Sequence, residues 1–451
     1  MSQTNTKKLS PWAWVPTLYF AEGIPYFIVN NISVLMLAKM GVPNGQMALF
    51  TSLLYLPWMI KPFWSPFVDI IKTKRWWIIT MQAIMSIAFV LLTLTVPIPS
   101  AQEIATGTTP ISIFTITLIL FVITAFASAT NDIASDGFYM LALSTKDQAA
   151  YVGIRSTFYR LSSIFGQGVL VYIAGYLESH GLESFGIEAG NIPLSWRITL
   201  GVTAAIFTLV TIYHTFIVPR PANDRPNIAK DSQGGAGAIF KEFANSFVTF
   251  FKKKGLWLAI AFMLLFRLPE AFLIKMCTPF LVASRELGGL GLSTENVGIV
   301  YGTIGVFFLT VGGILGGVFA SKVGLKKSLW IMAACMTLPC LTFCYLAECQ
   351  PESLVNISIA VAIEQFGYGF GFTAYMLYMM YFSEGPFTTS HYAICTAFMA
   401  MSMMLPGMVA GFLQEALGYA MFFWMVIICC IATLIVTYFA DRKIDPTYGL
   451  K

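Results

Sequence analysis

Apolar runs alternate with short polar breaks along the whole chain, near 11–38, 45–69, 76–97, 111–144, 151–177, 193–218, 255–283, 294–320, 328–347, 354–382, 389–414 and 419–440. Each run is close to the roughly 20 residues that cross a bilayer as a helix, and the breaks are too short to hold a soluble domain. The pattern predicts an all-α integral membrane protein of twelve transmembrane helices. Lys7 and Lys8 before the first run resemble the start of a signal peptide. The run continues for about 30 residues without a small-residue cleavage site, so a retained first helix is expected.

Composition narrows the class further. Of the 451 residues, 57% are hydrophobic and 11% charged, against roughly 25% charged in an average soluble domain, which excludes a soluble globule. Seven of the eight cysteines lie inside apolar runs and Cys349 lies at a helix end. They read as small buried hydrophobes rather than a disulfide framework. The net charge of +5 gives no case for nucleic acid as a partner, because its distribution follows the membrane. Of the 27 Lys and Arg, 19 fall on the side that carries both termini, 3 on the other and 5 within spans. The positive-inside rule then makes both termini cytoplasmic.

Pro219, Pro221 and Pro226, then Gly234, Gly235 and Gly237, and finally Lys252–Lys254 mark a linker over 219–254. It separates an N-terminal six-helix bundle, 1–218, from a C-terminal one, 255–451. Between 238 and 251, Ile239, Phe240, Phe243, Phe247, Phe250 and Phe251 recur at helical spacing beside Lys241 and Glu242. Two readings stand equal: a helix lying on the membrane surface or an ordered connector. The halves carry traces of an internal repeat. Tyr139-Met140-Leu141 in span four matches Tyr375-Met376-Leu377 in span ten, and Tyr151–Phe158 echoes Tyr392–Phe398.

With a basic loop after span two (Asp69, Lys72, Lys74, Arg75) and another after span eight (Gly317 to Lys327), this organisation resembles the major facilitator superfamily. The resemblance covers essentially the whole chain and implies two six-helix pseudo-repeat bundles. The second loop has Ser321 where an acid is common, and the first lacks the family's glycines. Lys61-Pro62-Phe63-Trp64-Ser65-Pro66-Phe67-Val68-Asp69 resembles the K-x-x-W-x-P-x-x-D segment of the AmpG-like muropeptide permeases, which are related to the acetyl-CoA transporters. Phe20-Ala21-Glu22-Gly23-Ile24-Pro25 and Asn131-Asp132-Ile133-Ala134-Ser135-Asp136-Gly137 are similar to the same branch. The resemblance implies a proton-coupled importer of muropeptides or anhydro-muramyl sugars in the bacterial inner membrane. Its partners would be a small solute, protons and the lipid bilayer, and it is expected to work as a monomer without a cofactor.

The charges inside the spans are the candidate chemistry. Glu22, Lys61, Asp132, Asp136, Arg155, Arg160, Arg267, Glu270, Lys275 and Glu364 all fall there, where an ionisable group costs about 2.5–3.5 kcal/mol even on lenient scales. They must line an interior. Counting about 1.5 Å per residue puts Glu22 roughly 16 Å, Arg267 about 18 Å and Glu270 about 22 Å from the cytoplasmic ends. Spans one, four, seven and ten line the central cavity in the resembled family, and they carry most of these charges.

Arg267 offers a bidentate fork for a substrate carboxylate. Glu270, three residues on, is either its permanent intrahelical partner or a proton carrier released as Arg267 changes partner. Asp132 and Asp136 share a face of span four, and Arg160 on span five reaches the depth of Asp136, giving either a static pair or a coupling site. Asp132, deeper and with fewer apparent partners, is the preferred coupling acid, with Glu22 and Glu364 as further candidates. Gly23 and Pro25 make span one a gate or an ordinary kink. Lys61 is expected to snorkel, Asp69 to anchor the loop, and both, with Arg160, to serve gating. Tyr26, Asn30, Asn31, Gln167, Tyr301 and Gln365 supply aromatic faces and amides for a sugar.

No Gly-x-x-x-x-Gly-Lys-Ser/Thr occurs, so an ion gradient rather than ATP is the expected drive. His180, His214 and His391 have no metal-ligand spacing, and the dispersed charges argue against an enzyme. Two other classes compete with the muropeptide importer. One is a transporter of another organic anion, such as an acyl-CoA-like solute. The other is a receptor or scaffold, for which every loop is too short to hold a domain.

Overall fold

The structure, a computed structural model, describes residues 10–181, 188–225, 235–385 and 387–448. Lys7, Lys8, Pro226, Lys230, Gly234 and Lys451 lie outside the described residues, as do the side chains of Asp69, Lys146, Ile239, Phe240 and Glu242. Those expectations stay open there.

The spans fold as helices over Pro11–Lys39, Lys74–Thr95, Ile111–Ala142, Ile192–Ile217 and Leu256–Val282. Span two is the pair Asn44–Leu53 and Leu56–Ile70. Span five runs from Thr145 to His180 through a wider π-helical turn over Ile164–Leu170, and span ten is Leu354–Ser383. Spans eight and nine form one helical stretch, Thr294–Cys349, and spans eleven and twelve another within Ser390–Asp441. Gly324, φ 79° and ψ 163°, and Gly418, φ 75° and ψ 166°, reverse the chain in a single step. That left-handed conformation is one L side chains rarely adopt. Twelve crossings return the chain to its starting face, called here the terminal face.

Apolar side chains point outward and charges inward, the reverse of a soluble protein. Leu94 is 69% exposed and Trp257 81%, while Glu270 and Glu364 are 0% and 1% exposed. In a bilayer the exposed set faces lipid tails. The sequence boundaries hold to within a few residues except in span five, which begins at Thr145 rather than 151. The linker helix is real and covers Gly235–Phe251. It docks on the bundles: Phe250 is buried against Phe382, His391 and Phe398, and the Phe247 ring lies 5.3 Å from that of Phe63 in span two.

The bundles meet at the face opposite the termini. Asn44 Nδ2 donates to Gln414 Oε1 at 2.6 Å and to Tyr419 Oη at 3.0 Å, and the Gly45 amide donates to Glu415 at 2.7 Å. Thr294 Oγ1 donates to Glu178 at 2.7 Å, and Lys275 Nζ to Thr51 Oγ1 at 2.9 Å. Among the described residues, no direct hydrogen bond joins the bundles in their terminal halves. Spans five and eight run antiparallel, and a Cβ on Gly302 would lie 1.8 Å from the Gln167 carbonyl oxygen. Only glycine permits that approach. The hydrogen bonds that join the bundles therefore gather at the far face.

This packing gives a direct comparison. Gly302→Ala forces spans five and eight apart and is expected to cost about 1–3 kcal/mol of overpacking, seen as a lower melting temperature in detergent. Gly317→Ala, where an added Cβ meets nothing within 4 Å, should melt like the parent.

Candidate functional site

Two charged clusters lie in the interior, one per bundle. In the N-terminal bundle, single carboxylate oxygens of Glu22, Asp132 and Asp136 lie within 4.8 Å of one another. Span four carries the two aspartates four residues apart on one helix face, and span one presents Glu22 against them. Lys61 of span two forms an ion pair with Asp132. Arg155 of span five pairs with Asp136 at 2.5 Å. Tyr19 Oη donates to Asp136 at 3.3 Å, and the Arg155 guanidinium sits 4.4 Å from the Tyr19 ring centroid and 5.6 Å from that of Tyr139. Three acids thus meet two bases. Glu22 is left over, 7% exposed, with Oε2 buried and unpartnered. Both aspartates already hold cationic partners, which weighs against a divalent cation among these acids.

The C-terminal cluster is built on a break in span seven. The helix stops at Leu265 and restarts at Leu268, with Pro269 in its first turn and Arg267 between them at φ −101°, ψ 11°. Proline has no amide hydrogen and its ring excludes the preceding turn, so the break belongs to the sequence. Arg267, 4% exposed, points into an aromatic cage on span ten. Its guanidinium lies 4.7 Å from the Phe372 ring centroid, 5.4 Å from Tyr368 and 5.6 Å from Tyr375. Its Nη2 donates to Tyr368 Oη at 2.6 Å, and its Nε has no partner. Such cation–π contacts hold a desolvated guanidinium without neutralising it. Glu270 and Glu364 set their side chains against each other. Gln365 Nε2 donates to Glu364 at 2.8 Å, while both Glu270 oxygens are buried without a hydrogen bond.

Several sequence expectations change. Arg267 and Glu270 do not form an ion pair: Arg267 caps the restarted helix, and its guanidinium turns to the rings of span ten and the Tyr368 hydroxyl. Asp136 pairs with Arg155 and not Arg160. With span five starting at Thr145, Arg160 sits about 22 Å along it, too deep to meet Asp136, and it lies instead beside Gly313 of span eight. Asp132 is the salt-bridged acid and Glu22 the one short of partners, so the expected order of the two is reversed. Lys61 turns inward to Asp132 rather than snorkelling. Span one passes through Gly23 and Pro25 as a helix and widens directly after them into a π-helical turn over Ile28–Ile32.

Among the sugar-contact candidates, Tyr26 is half-buried beside Tyr55 and Trp58. Asn30, Asn31 and Tyr301 line a small cavity between the bundles with Tyr55, Lys275 and Thr278. Gln167 bonds Ser163 in the closed contact with span eight, and Gln365 serves Glu364. The sequence pattern assigns no role to Arg155, Tyr19 or Lys275. The usable signal for Tyr19 was its position one turn before Glu22; Arg155 and Lys275 stood out only as charges inside spans.

An all-helical, two-bundle membrane protein with a charged, largely buried interior is built to pass a solute between its halves. The chain belongs to the major facilitator superfamily, whose family model matches residues 17–390. It is a permease, not an enzyme, and moves small-molecule solutes across a membrane. It is 23% identical over 437 residues to the anhydromuropeptide permease of Escherichia coli K12, covering 95% of this chain and 79% of that one. It is 24% identical to the putative transporter AmpG 4 of Rickettsia conorii, covering 95% and 96%. In fold it is similar to a bacterial homologue of the human lysosomal transporter Spinster, in inward-facing and unoccupied form, with TM-score 0.66, 16% identity and 97% and 98% coverage. A D-xylose–proton symporter gives TM-score 0.68, 12% identity and the same coverages.

The Lys61–Asp132 pair predicts a rescue pattern. Asp132→Asn or Lys61→Met alone strands one charge and should cost on the order of 2 kcal/mol, less than the 3–5 of a fully buried pair because each side chain keeps some solvent. The double variant should melt closer to the parent than either single one. Additive losses in a thermal double-mutant cycle would show that the contact carries no energy.

Proposed function

We propose that this chain is a proton-coupled importer of muropeptides or anhydro-muramyl sugars in a bacterial inner membrane. Both termini are cytoplasmic in this reading, which the basic loops of the terminal face support. The bundles 1–218 and 255–451 rock as a monomer about the 219–254 linker, and the closure at the far face is then an inward-open state. The similarity to the anhydromuropeptide permease of Escherichia coli supports the solute class.

The observation that carries the reading is the composition of the span seven and span ten cluster. An arginine held by aromatic rings and a phenol keeps its charge available for a carboxylate on the solute, and two carboxyls stand against each other beside it. Two like charges in a low-dielectric interior repel, and a shared proton removes the repulsion. Glu270 and Glu364 therefore carry the coupling proton, with Glu22 as the corresponding acid of the other bundle. The rings around Arg267, with Tyr26 and Trp58 opposite, offer flat faces for a sugar.

Proteoliposome uptake tests this. Labelled anhydromuropeptide should accumulate under an inward proton gradient and stop accumulating with a protonophore, with acetyl-CoA as the comparison solute. Accumulation untouched by the protonophore contradicts proton drive, and uptake of acetyl-CoA alone contradicts the solute. Arg267→Ala should weaken solute binding by on the order of 100-fold, in line with the 2–5 kcal/mol for truncating one member of a buried charge pair. Arg267→Lys should fall between, since it keeps the charge but not the fork. Equal affinity in all three removes Arg267 from the site.

A further inference from the structure

Eight residues beyond Arg267 on span seven, Lys275 is a buried amine without a counter-ion. It is 5% exposed, and among the described residues no ion pair includes it and no acid lies close enough to act on it. Its only hydrogen-bond partner there is neutral, Thr51 Oγ1 across the bundle interface at 2.9 Å, and the Tyr55 ring centroid is 6.0 Å away. It lines the cavity shared with Asn30, Asn31, Thr278 and Tyr301. Asn30 is 3% exposed and spends its amide on the Tyr26 carbonyl of its own helix, leaving Oδ1 buried and unpartnered. Lys61 and Arg155, the bases of the N-terminal bundle's acid cluster, each hold a carboxylate; Lys275 faces hydroxyls, amides and rings.

An unpaired ammonium at this depth is expensive, and replacing it with an apolar side chain of similar length should leave the fold intact or firmer. Its retention asks for a ligand that supplies the missing charge. We propose that Lys275, with the Asn31 amide that shares its cavity, forms a second anion subsite that takes a carboxylate of the solute, about 12 Å along span seven from Arg267. The solute class is then an elongated one with two separated anionic groups, as an acidic peptide joined to a sugar acid would be. The subsite lies at the end where the bundles are joined, so the arriving carboxylate competes with Thr51 for the ammonium. Binding there loosens one of the bonds that hold the far face shut.

This inference rests on the proposed solute, and the test separates the two. Full-length protein in nanodiscs is titrated with an anhydromuropeptide and with its carboxamide derivative. The parent should prefer the acid by tenfold or more. Lys275→Met should lose that preference while melting no lower than the parent, Lys275→Arg should keep it, and Thr51→Val should keep it too because the ammonium remains. An unchanged preference in Lys275→Met, or equal losses in Lys275→Met and Thr51→Val, overturns the subsite. If the parent binds neither compound, the proposed solute fails. The subsite is then judged by thermal stabilisation with succinate: stabilisation lost in Lys275→Met supports it, and stabilisation absent from the parent or retained in Lys275→Met overturns it.

Discussion

A charge in the middle of a bilayer has nowhere to go but inward. The cost of about 2.5–3.5 kcal/mol per group on the lenient scales applies to ten side chains here, more in sum than the 5–15 kcal/mol of net stability typical of a folded domain. The fold answers by placing acids and bases on the faces of spans one, two, four, five, seven and ten that look into the interior. Large apolar side chains such as Leu94 and Trp257 are left to the outside. The packing of the bundles, the helix breaks and the contact at the far face all serve that separation of charge from lipid.

The two bundles solve the problem alike but not equally. Each sets an arginine over a tyrosine of its fourth helix, Arg155 over Tyr139 and Arg267 over Tyr375, the first residue of each copy of the repeated Tyr-Met-Leu segment. In the N-terminal bundle the arginine also has Asp136, and Asp132 has Lys61, so the network is nearly neutral. In the C-terminal bundle the arginine and lysine form no ion pair among the described residues and the acids face each other. The first arrangement is a framework. The second is short of partners that a solute and a proton would supply, which is why the chemistry is assigned mainly to spans seven and ten.

Span number, the linker helix and the inward set of charges were legible in the chain, because lipid solvation imposes a period and length that apolar runs record directly. Partner choice was not. Counting rise along ideal helices matched Asp136 to Arg160, and a start of span five six residues earlier than expected handed that role to Arg155. Three-residue spacing joined Arg267 to Glu270, and the guanidinium turned instead to the rings of span ten and the Tyr368 hydroxyl. Lys275 and Thr51 are 224 positions apart and on different bundles, a relation that no local pattern contains. The family segments ending at Asp69 and containing Asp132 marked the right region without giving its pairs.

Distance measurements between spin labels test the central claim, that this closed far face alternates with a closed terminal face as the interior charges meet solute and proton. In a background without native cysteines, one pair of labels replaces Thr108 and Glu352 in far-face loops, and another replaces Lys72 and Lys327 on the terminal face, all of them exposed. Adding anhydromuropeptide at acidic pH should lengthen the first distance and shorten the second in the same sample. Distances that stay fixed in both pairs, or that change together in the same direction, contradict the account.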